Sequence, residues 1–97
     1  MERYDALTRI NCERAAEVGD RNAQYHLGLM YVLGEGVAPD YVIAHKWLDL
    51  AASGGNAEAR ALRVELSHEM TRAEIAEARR LARNWRCADP WGRGDRR

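Results

Sequence analysis

A short pattern of small residues occurs twice in this chain, and it constrains the fold more than any other feature. Its first copy is Ala15-Ala16-x-x-Gly19-x-x-x-Ala23. Its second copy begins 36 residues later and is Ala51-Ala52-x-x-Gly55-x-x-x-Ala59. A helix pair and its turns need about that length, and small side chains at fixed places let neighbouring helices approach closely. The repeat therefore predicts antiparallel helix pairs stacked into an α/α solenoid.

The rest of the chain is also typical of helices. Apolar residues recur at helical spacing, and no alternating run of β-branched residues suggests a strand. Asp20 and Asp40 are expected helix N-caps, and Thr71 with Glu74 forms a capping box. We predict an all-α fold of about five helices, over residues 3–18, 21–34, 41–53, 56–69 and about 71–86.

The spacing of small and apolar residues predicts the core as well. Trp47 has the small residues Ala44 and Ala51 on its own helical face, so its ring can fill the space between paired helices. We expect the following residues to be buried between the helices: Ala23, Leu27, Gly28, Tyr31, Ala44, Trp47, Leu48, Ala51 and Ala59.

These residues also carry a resemblance to a known family. The pattern is Ala23-x-x-x-Leu27-Gly28-x-x-Tyr31-x-x-Gly34-x-Gly36-Val37-x-x-Asp40-x-x-x-Ala44-x-x-Trp47-x-x-x-Ala51-Ala52-x-x-Gly55-x-x-x-Ala59. It resembles the Sel1-like repeat, a relative of the tetratricopeptide repeat, and one complete repeat covers about residues 20–55. The resemblance implies a short tetratricopeptide-like superhelix.

Each flank is similar to half of such a repeat. Residues 4–19 resemble the second helix of a preceding repeat, with Thr8 and Asn11 where Ala44 and Trp47 stand one period later. Residues 56–86 resemble the closing helices of an array, with Arg63 and Val64 in place of the Leu27-Gly28 pair. We therefore expect one solenoid domain over residues 1–86. Residues 87–97, which hold glycine, proline and charge with Trp91 as the large apolar residue, are expected to be a disordered tail.

Composition excludes several classes of function. Lys+Arg and Asp+Glu are both 15, so no overall charge favours nucleic acid. Arginines are concentrated near the C-terminus, but acidic residues alternate with them, which is typical of a solvated helix face. The longest apolar stretch is far shorter than the ~20 residues of a membrane span. The N-terminus lacks the layout of a secretory signal, so we expect a cytoplasmic protein, with export left open if residues precede Met1.

Candidate groups for chemistry are few. His26, His45 and His68 are not spaced as a helical metal site, so we interpret them as surface or half-buried structural residues. Cys12 is expected to replace a small core residue. Cys12 and Cys87 stand at opposite ends of the predicted array, and a disulfide between them would require those ends to come within ~7 Å of each other. The sequence predicts no catalytic residue, no metal site and no cofactor, and hence no enzyme.

The resemblance implies a function in binding proteins or peptides. In a tetratricopeptide-like solenoid the first helix of each pair lines a concave groove. The groove positions carried onto this chain lie on the second predicted helix (α2, residues 21–34) and on the fourth (α4, residues 56–69). They form what we call the α2–α4 groove: Asn22, Tyr25, Leu29, Val32, Leu33, Glu58, Ala61, Glu65, His68 and Glu69. We expect a non-enzymatic interaction module or adaptor whose partner offers an apolar anchor and a basic side chain. The alternative is a structural or regulatory subunit that works as a homo-oligomer or within a larger complex, with the same apolar residues packed on the first helix or on a second copy.

Overall fold

The computed structural model describes residues 6–87, which form five α-helices. They are α1 (Ala6–Glu17), α2 (Arg21–Leu33), α3 (Tyr41–Ser53), α4 (Ala57–Ser67) and α5 (Arg72–Cys87). Within this part of the chain there is no strand, and the all-α prediction is confirmed. α1 ends one residue earlier than predicted, and its predicted start at residues 3–5 lies outside the described part; α4 is shorter than predicted by one residue at its start and two at its end. The predicted tail boundary is wrong by one residue, because Cys87 still belongs to α5. In the sequence, the first residue that disfavours a helix is Asp89, which precedes Pro90. Residues 88–97 lie outside the described part, so the tail remains a prediction.

Side chains cap the helices where the sequence indicates. The carboxylates of Asp20 and Asp40 accept hydrogen bonds from backbone amides three residues later, each at 3.1 Å. Asn56 caps α4 in the same way, at 2.8 Å. Thr71 and Glu74 bond reciprocally to each other's backbone amides at 2.9 and 3.1 Å, as a capping box requires. The start of each of these four helices is therefore fixed by residues next to it in the sequence.

α2 and α3 form the most closely packed pair in the described chain, and a glycine makes this possible. A Cβ atom on Gly28 would lie 2.8 Å from Cγ of Leu48 and 3.2 Å from the backbone oxygen of Ala44. Both separations are shorter than ordinary van der Waals contact. The pair therefore needs a residue without a side chain at this position.

The core consists of two clusters that share α3. The first cluster joins α1, α2, α3 and α5 through Ala16, Ala23, Leu27, Met30, Trp47, Leu50 and Ala82. The second joins α3 and α4 through Ala44, Leu48, Ala51, Ala59 and Leu66. The predicted core residues are buried with the exception of Tyr31, for which the prediction is wrong. Tyr31 is partly exposed because it lies at the edge of an open pocket, where burial of part of the ring raises the pKa of its hydroxyl.

α4 and α5 differ in their packing from α2 and α3, although both are pairs of consecutive helices. α4 and α5 have few close approaches in the described chain, and each packs instead on α3. Val64 stands in α4 where Gly28 stands in α2, and its side chain is 48% exposed. A side chain at that place is incompatible with the close approach that α2 and α3 make. The last pair is therefore splayed.

Two polar side chains tie helix ends together inside the structure. Gln24 is fully buried, and its Nε2 donates a hydrogen bond to the backbone oxygen of Ala16 at 3.1 Å. Arg21 donates from Nη1 to the backbone oxygen of Leu50 at 2.9 Å and to Oε1 of Gln24 at 3.1 Å. The backbone oxygen of Ala16 also accepts from the amide of Gly19 at 3.1 Å, and that of Leu50 from the amide of Gly54 at 3.3 Å. The side chains of Gln24 and Arg21 therefore add a second hydrogen bond to each oxygen and connect both helix ends to the start of α2.

Candidate protein-binding surface

The α2 residues of the α2–α4 groove form a partly exposed apolar row. Tyr25 and Val32 are partly buried and pack against the second core cluster. Leu29 is also partly exposed, and Leu33 is 47% exposed. Asn22 lies exposed at the start of the row. Apolar side chains that remain accessible on one side of a helix are a common feature of interfaces.

The residues predicted for the α4 side of the groove are all exposed: Glu58, Ala61, Glu65, His68 and Glu69. His68 and Glu69 were expected on the fourth helix but lie in the turn after α4. Asn56 caps α4, and its side-chain Nδ2 donates a hydrogen bond to Oδ1 of Asn22 at 3.4 Å. This contact places the N-terminal ends of α2 and α4 next to each other. The surface therefore has an apolar side on α2 and an acidic side on α4.

The sequence left open whether the apolar groove residues of α2 pack on the first helix, and the position of Val32 bears on this alternative. Val32 and Tyr25 instead contact the cluster formed by α3 and α4. Leu33 keeps nearly half of its surface accessible, so it remains available to another chain.

His45 corrects one expectation. The sequence suggested surface or half-buried histidines, which fits His26 and His68, both exposed, but is wrong for His45, which is 1% exposed. Its Nε2 lies 3.1 Å from Oγ of Ser67, and that hydroxyl donates to the backbone oxygen of Arg63 at 2.9 Å. Ser67 occupies the place that a tyrosine fills one period earlier, and a small residue there leaves room for the imidazole.

The electrostatics of His45 follow from its burial. Because the hydroxyl of Ser67 already donates elsewhere, it accepts a hydrogen bond from Nε2–H, so in the neutral ring the proton lies on Nε2. Nδ1 has no partner within the described residues. Burial lowers the pKa of His45, and this outweighs the opposing effect of Asp49. His45 therefore links α3 to α4 in its neutral form.

The described residues offer little for catalysis or metal binding. No group of three or more side chains that could hold a metal ion occurs in residues 6–87. Cys12 packs against the first core cluster, as the sequence suggested. Burial raises the pKa of its thiol, which disfavours the reactive thiolate. The side chain of Cys87 lies outside the described part. None of the helices in that part is long and apolar enough to cross a bilayer.

One feature of the surface was not predicted from the sequence. An open pocket lies between α1, α2, α3 and α5, and no residue of the α2–α4 groove lines it. A signal for it was present, because α1 has Asn11 and Arg14 where α3 has the core residues Trp47 and Leu50. Polar residues at core positions indicate that α1 does not bury that face.

Comparison with known families agrees with the geometry. Residues 21–56 match the family model of the Sel1 repeat, which is the span predicted above as one complete repeat. The search of curated proteins found no significant match. Sel1 repeats are generally protein–protein interaction modules, and the family is typically a non-catalytic scaffold. Residues 21–56 are therefore similar to one Sel1 repeat, and they lie within the helical part of the chain that the structure describes.

Proposed function

We propose that this protein is a non-enzymatic interaction module that binds a segment of a partner protein in the α2–α4 groove. The observation that carries the proposal is the accessible apolar row on α2. Leu29 and Leu33 lie on the same side of α2, and neither is buried by the described helices. Exposed apolar side chains of this kind gain free energy when a partner covers them.

The acidic side of the groove supports a partner of particular chemistry. Glu58 and Glu65 are exposed on α4 and Glu69 is exposed in the turn after it, and together they give this side of the groove a negative potential. Charge complementarity across an interface accelerates association and suppresses wrong partners. The partner segment should therefore combine an apolar anchor for α2 with basic side chains for α4.

The alternative is a structural or regulatory subunit that works as a homo-oligomer or within a larger complex. In a homo-oligomer the same leucines would pack against a second copy of the chain. Light scattering coupled to size-exclusion chromatography separates the two functions. A monomer supports the interaction module, and a dimer that Leu33→Ser dissociates supports the subunit.

The groove is tested by pull-down with the intact chain, comparing the wild type with Tyr25→Ala and Leu29→Ser. We expect both variants to lose captured partners, because both remove apolar surface from the row. Leu7→Ser is the matched control, since Leu7 is a 67% exposed leucine on α1, outside the groove. If the Tyr25 and Leu29 variants leave both partner capture and oligomeric state unchanged, the groove is not the working surface.

A further inference from the structure

The pocket between α1, α2, α3 and α5 has a volume of about 730 Å³ and is open to solvent. Its lining is mostly apolar. Leu27 and Trp47 are buried core residues that contribute to it, and Tyr31, Ile43 and Leu81 are partly exposed around them. Sites that receive a ligand or a large side chain commonly have this size and an apolar lining with a few polar groups.

The pocket exists because α1 does not pack closely on α3. α3 packs directly on α5, where the buried residues Ala78 and Ala82 allow a close approach. On α1, by contrast, the residues that line the pocket are charged: Glu13, Arg14 and Glu17. One period after Arg14 the residue is Leu50, which is fully buried. α5 therefore covers α3 closely on one side, whereas on the side that faces α1 a space remains, and this space is the pocket.

The acidic side chains of the pocket already have partners. Glu13 forms an ion pair with Arg9 at 3.1 Å. Glu17 accepts a hydrogen bond from Nε1 of Trp85 at 3.0 Å. Arg9 neutralises the charge of Glu13, whereas Glu17 keeps its negative charge because its partner is a neutral indole, so the pocket retains this one unpaired anion beside the cations Arg14 and Lys46.

The two cations of the pocket lack such partners. Among residues 6–87, neither Arg14 nor Lys46 forms an ion pair. Nζ of Lys46 lies 4.0 Å from the ring centroid of Trp47. Burial lowers the pKa of Lys46, although the charge of Glu17 opposes this. A partly desolvated ammonium without an anion at contact distance gains free energy when a carboxylate arrives.

We propose that this pocket binds a partner-protein segment in which a carboxylate lies within two residues of a large apolar side chain. The apolar side chain packs against the partly exposed Tyr31, Ile43 and Leu81, and the carboxylate pairs with Lys46 and Arg14. The proposal rests on the protein-binding role of Sel1 repeats, but it is independent of the α2–α4 groove. The two surfaces differ in charge preference, since the groove favours a basic segment and the pocket an acidic one.

The test uses the full chain and a synthetic octapeptide, Gly-Ser-Asp-Pro-Trp-Gly-Ser-Gly, with both ends blocked. Binding is followed by NMR, and we expect shifts at the indole N–H of Trp47 but not at the amides of Tyr25 or Leu29. The double variant Lys46→Gln/Arg14→Gln should bind the peptide about tenfold more weakly, because it removes both charge contacts. Raising the salt concentration from about 50 to about 500 mM should also weaken binding of the wild type, since the cations are accessible to screening.

Matched controls distinguish the loss of the two charges in the pocket from a general effect of the substitutions on charge or stability. Arg60→Gln/Arg72→Gln removes two exposed arginines outside the pocket and should bind like the wild type. A peptide with asparagine in place of aspartate should bind about as weakly as the Lys46→Gln/Arg14→Gln variant. Equal binding of the two peptides, or salt-independent binding, would overturn the proposal.

Other occupants would give different results. If Trp91→Ala tightens binding of the peptide, the chain's own Asp89-Pro90-Trp91 segment competes for the pocket, and the assignment to a partner protein is wrong. If light scattering shows a dimer that the Lys46→Gln/Arg14→Gln variant dissociates, the occupant is a second copy of the chain. Loss of peptide binding in Leu29→Ser would place the peptide in the α2–α4 groove, and the pocket proposal would fail while the proposed function stood.

Discussion

Gly28 and Val64 occupy the same place in two successive repeat units, 36 residues apart. At Gly28 the backbone of α3 comes so close that an added Cβ atom would lie 3.2 Å from a main-chain oxygen of Ala44. A main-chain atom cannot rotate away, so the helices themselves would have to separate. At Val64 no such approach exists, and the side chain is about half exposed.

Gly28→Ala should therefore destabilise the protein, although alanine is the better helix former. The gain in helix propensity is at most about 1 kcal/mol, whereas overpacking in a close helix interface costs about 1–3 kcal/mol. We expect a net loss of about 1 kcal/mol in the free energy of unfolding, measured by urea denaturation. Val64→Ala is the matched control and should change stability by less than about 0.5 kcal/mol. A Gly28→Ala variant more stable than the wild type would show that α2 and α3 adjust without cost.

His45 makes stability depend on pH. Its pKa in the folded protein is lowered by burial from the ordinary value of about 6.5, with Arg63 and Arg79 reinforcing the shift and Asp49 opposing it. Above about pH 6.5 the ring is neutral in both the folded and unfolded chain. Below that pH the unfolded chain binds a proton that the folded chain does not bind, so unfolding becomes more favourable.

We expect the free energy of unfolding to fall as the pH is lowered below about 6.5, and part of that fall to disappear in His45→Asn. Asparagine does not titrate, so the variant lacks the contribution of the buried imidazole. Urea denaturation between about pH 7.5 and 5.5 gives the two slopes. His68→Asn is the control, because His68 is exposed and its replacement should leave the slope unchanged. Parallel slopes for the wild type and His45→Asn would contradict this account.

At the scale of helices, features that depend on residues close in sequence could be predicted, and features that depend on contacts between helices could not. The N-caps of α2 and α3 depend on residues three positions apart, so Asp20 and Asp40 could be identified directly. The buried polar bonds of Gln24 connect two helices, and nothing near Gln24 in the sequence distinguishes it from an exposed glutamine. The splay of α4 from α5 was also missed, although Val64 was noted as a departure from the repeat pattern.

Gln24→Leu tests how much the connection between helix ends contributes. The variant removes one of the two hydrogen bonds that the backbone oxygen of Ala16 accepts, the other coming from the amide of Gly19, and also removes the acceptor that orients Arg21. A buried hydrogen bond contributes about 0.5–1.5 kcal/mol, and we expect a loss of about that size in the free energy of unfolding. Arg60→Leu is the matched control, because Arg60 holds the same repeat position in α4 but is exposed. Equal effects of the two substitutions would mean that the buried bond contributes nothing.

At the scale of the whole molecule, α3 is the central helix. It contributes residues to both core clusters and packs on α2, α4 and α5. The repeat pattern predicted this central role, because the complete repeat ends with α3 and half repeats flank it. The pattern did not predict that α2 and α4 would be packed to different extents. Within the described chain α2 packs on both α1 and α3, whereas α4 packs closely on α3 alone.

This difference should appear in hydrogen exchange of the backbone amides. α3 has six buried residues, so its amides should exchange only when the whole domain unfolds. α4 has two buried residues, Ala59 and Leu66, and its opening leaves the first core cluster intact. We therefore expect the amides in the middle of α4 to exchange at least about tenfold faster than those of Trp47 and Leu48, a difference of about 1.4 kcal/mol in opening free energy. The measurement is native-state exchange followed by NMR, and α2, which shares the first cluster, serves as the internal control that should resemble α3. Equal protection in α3 and α4 would mean that the described helices open together, and that the close packing of α4 on α3 alone is enough to make it part of the same cooperative unit.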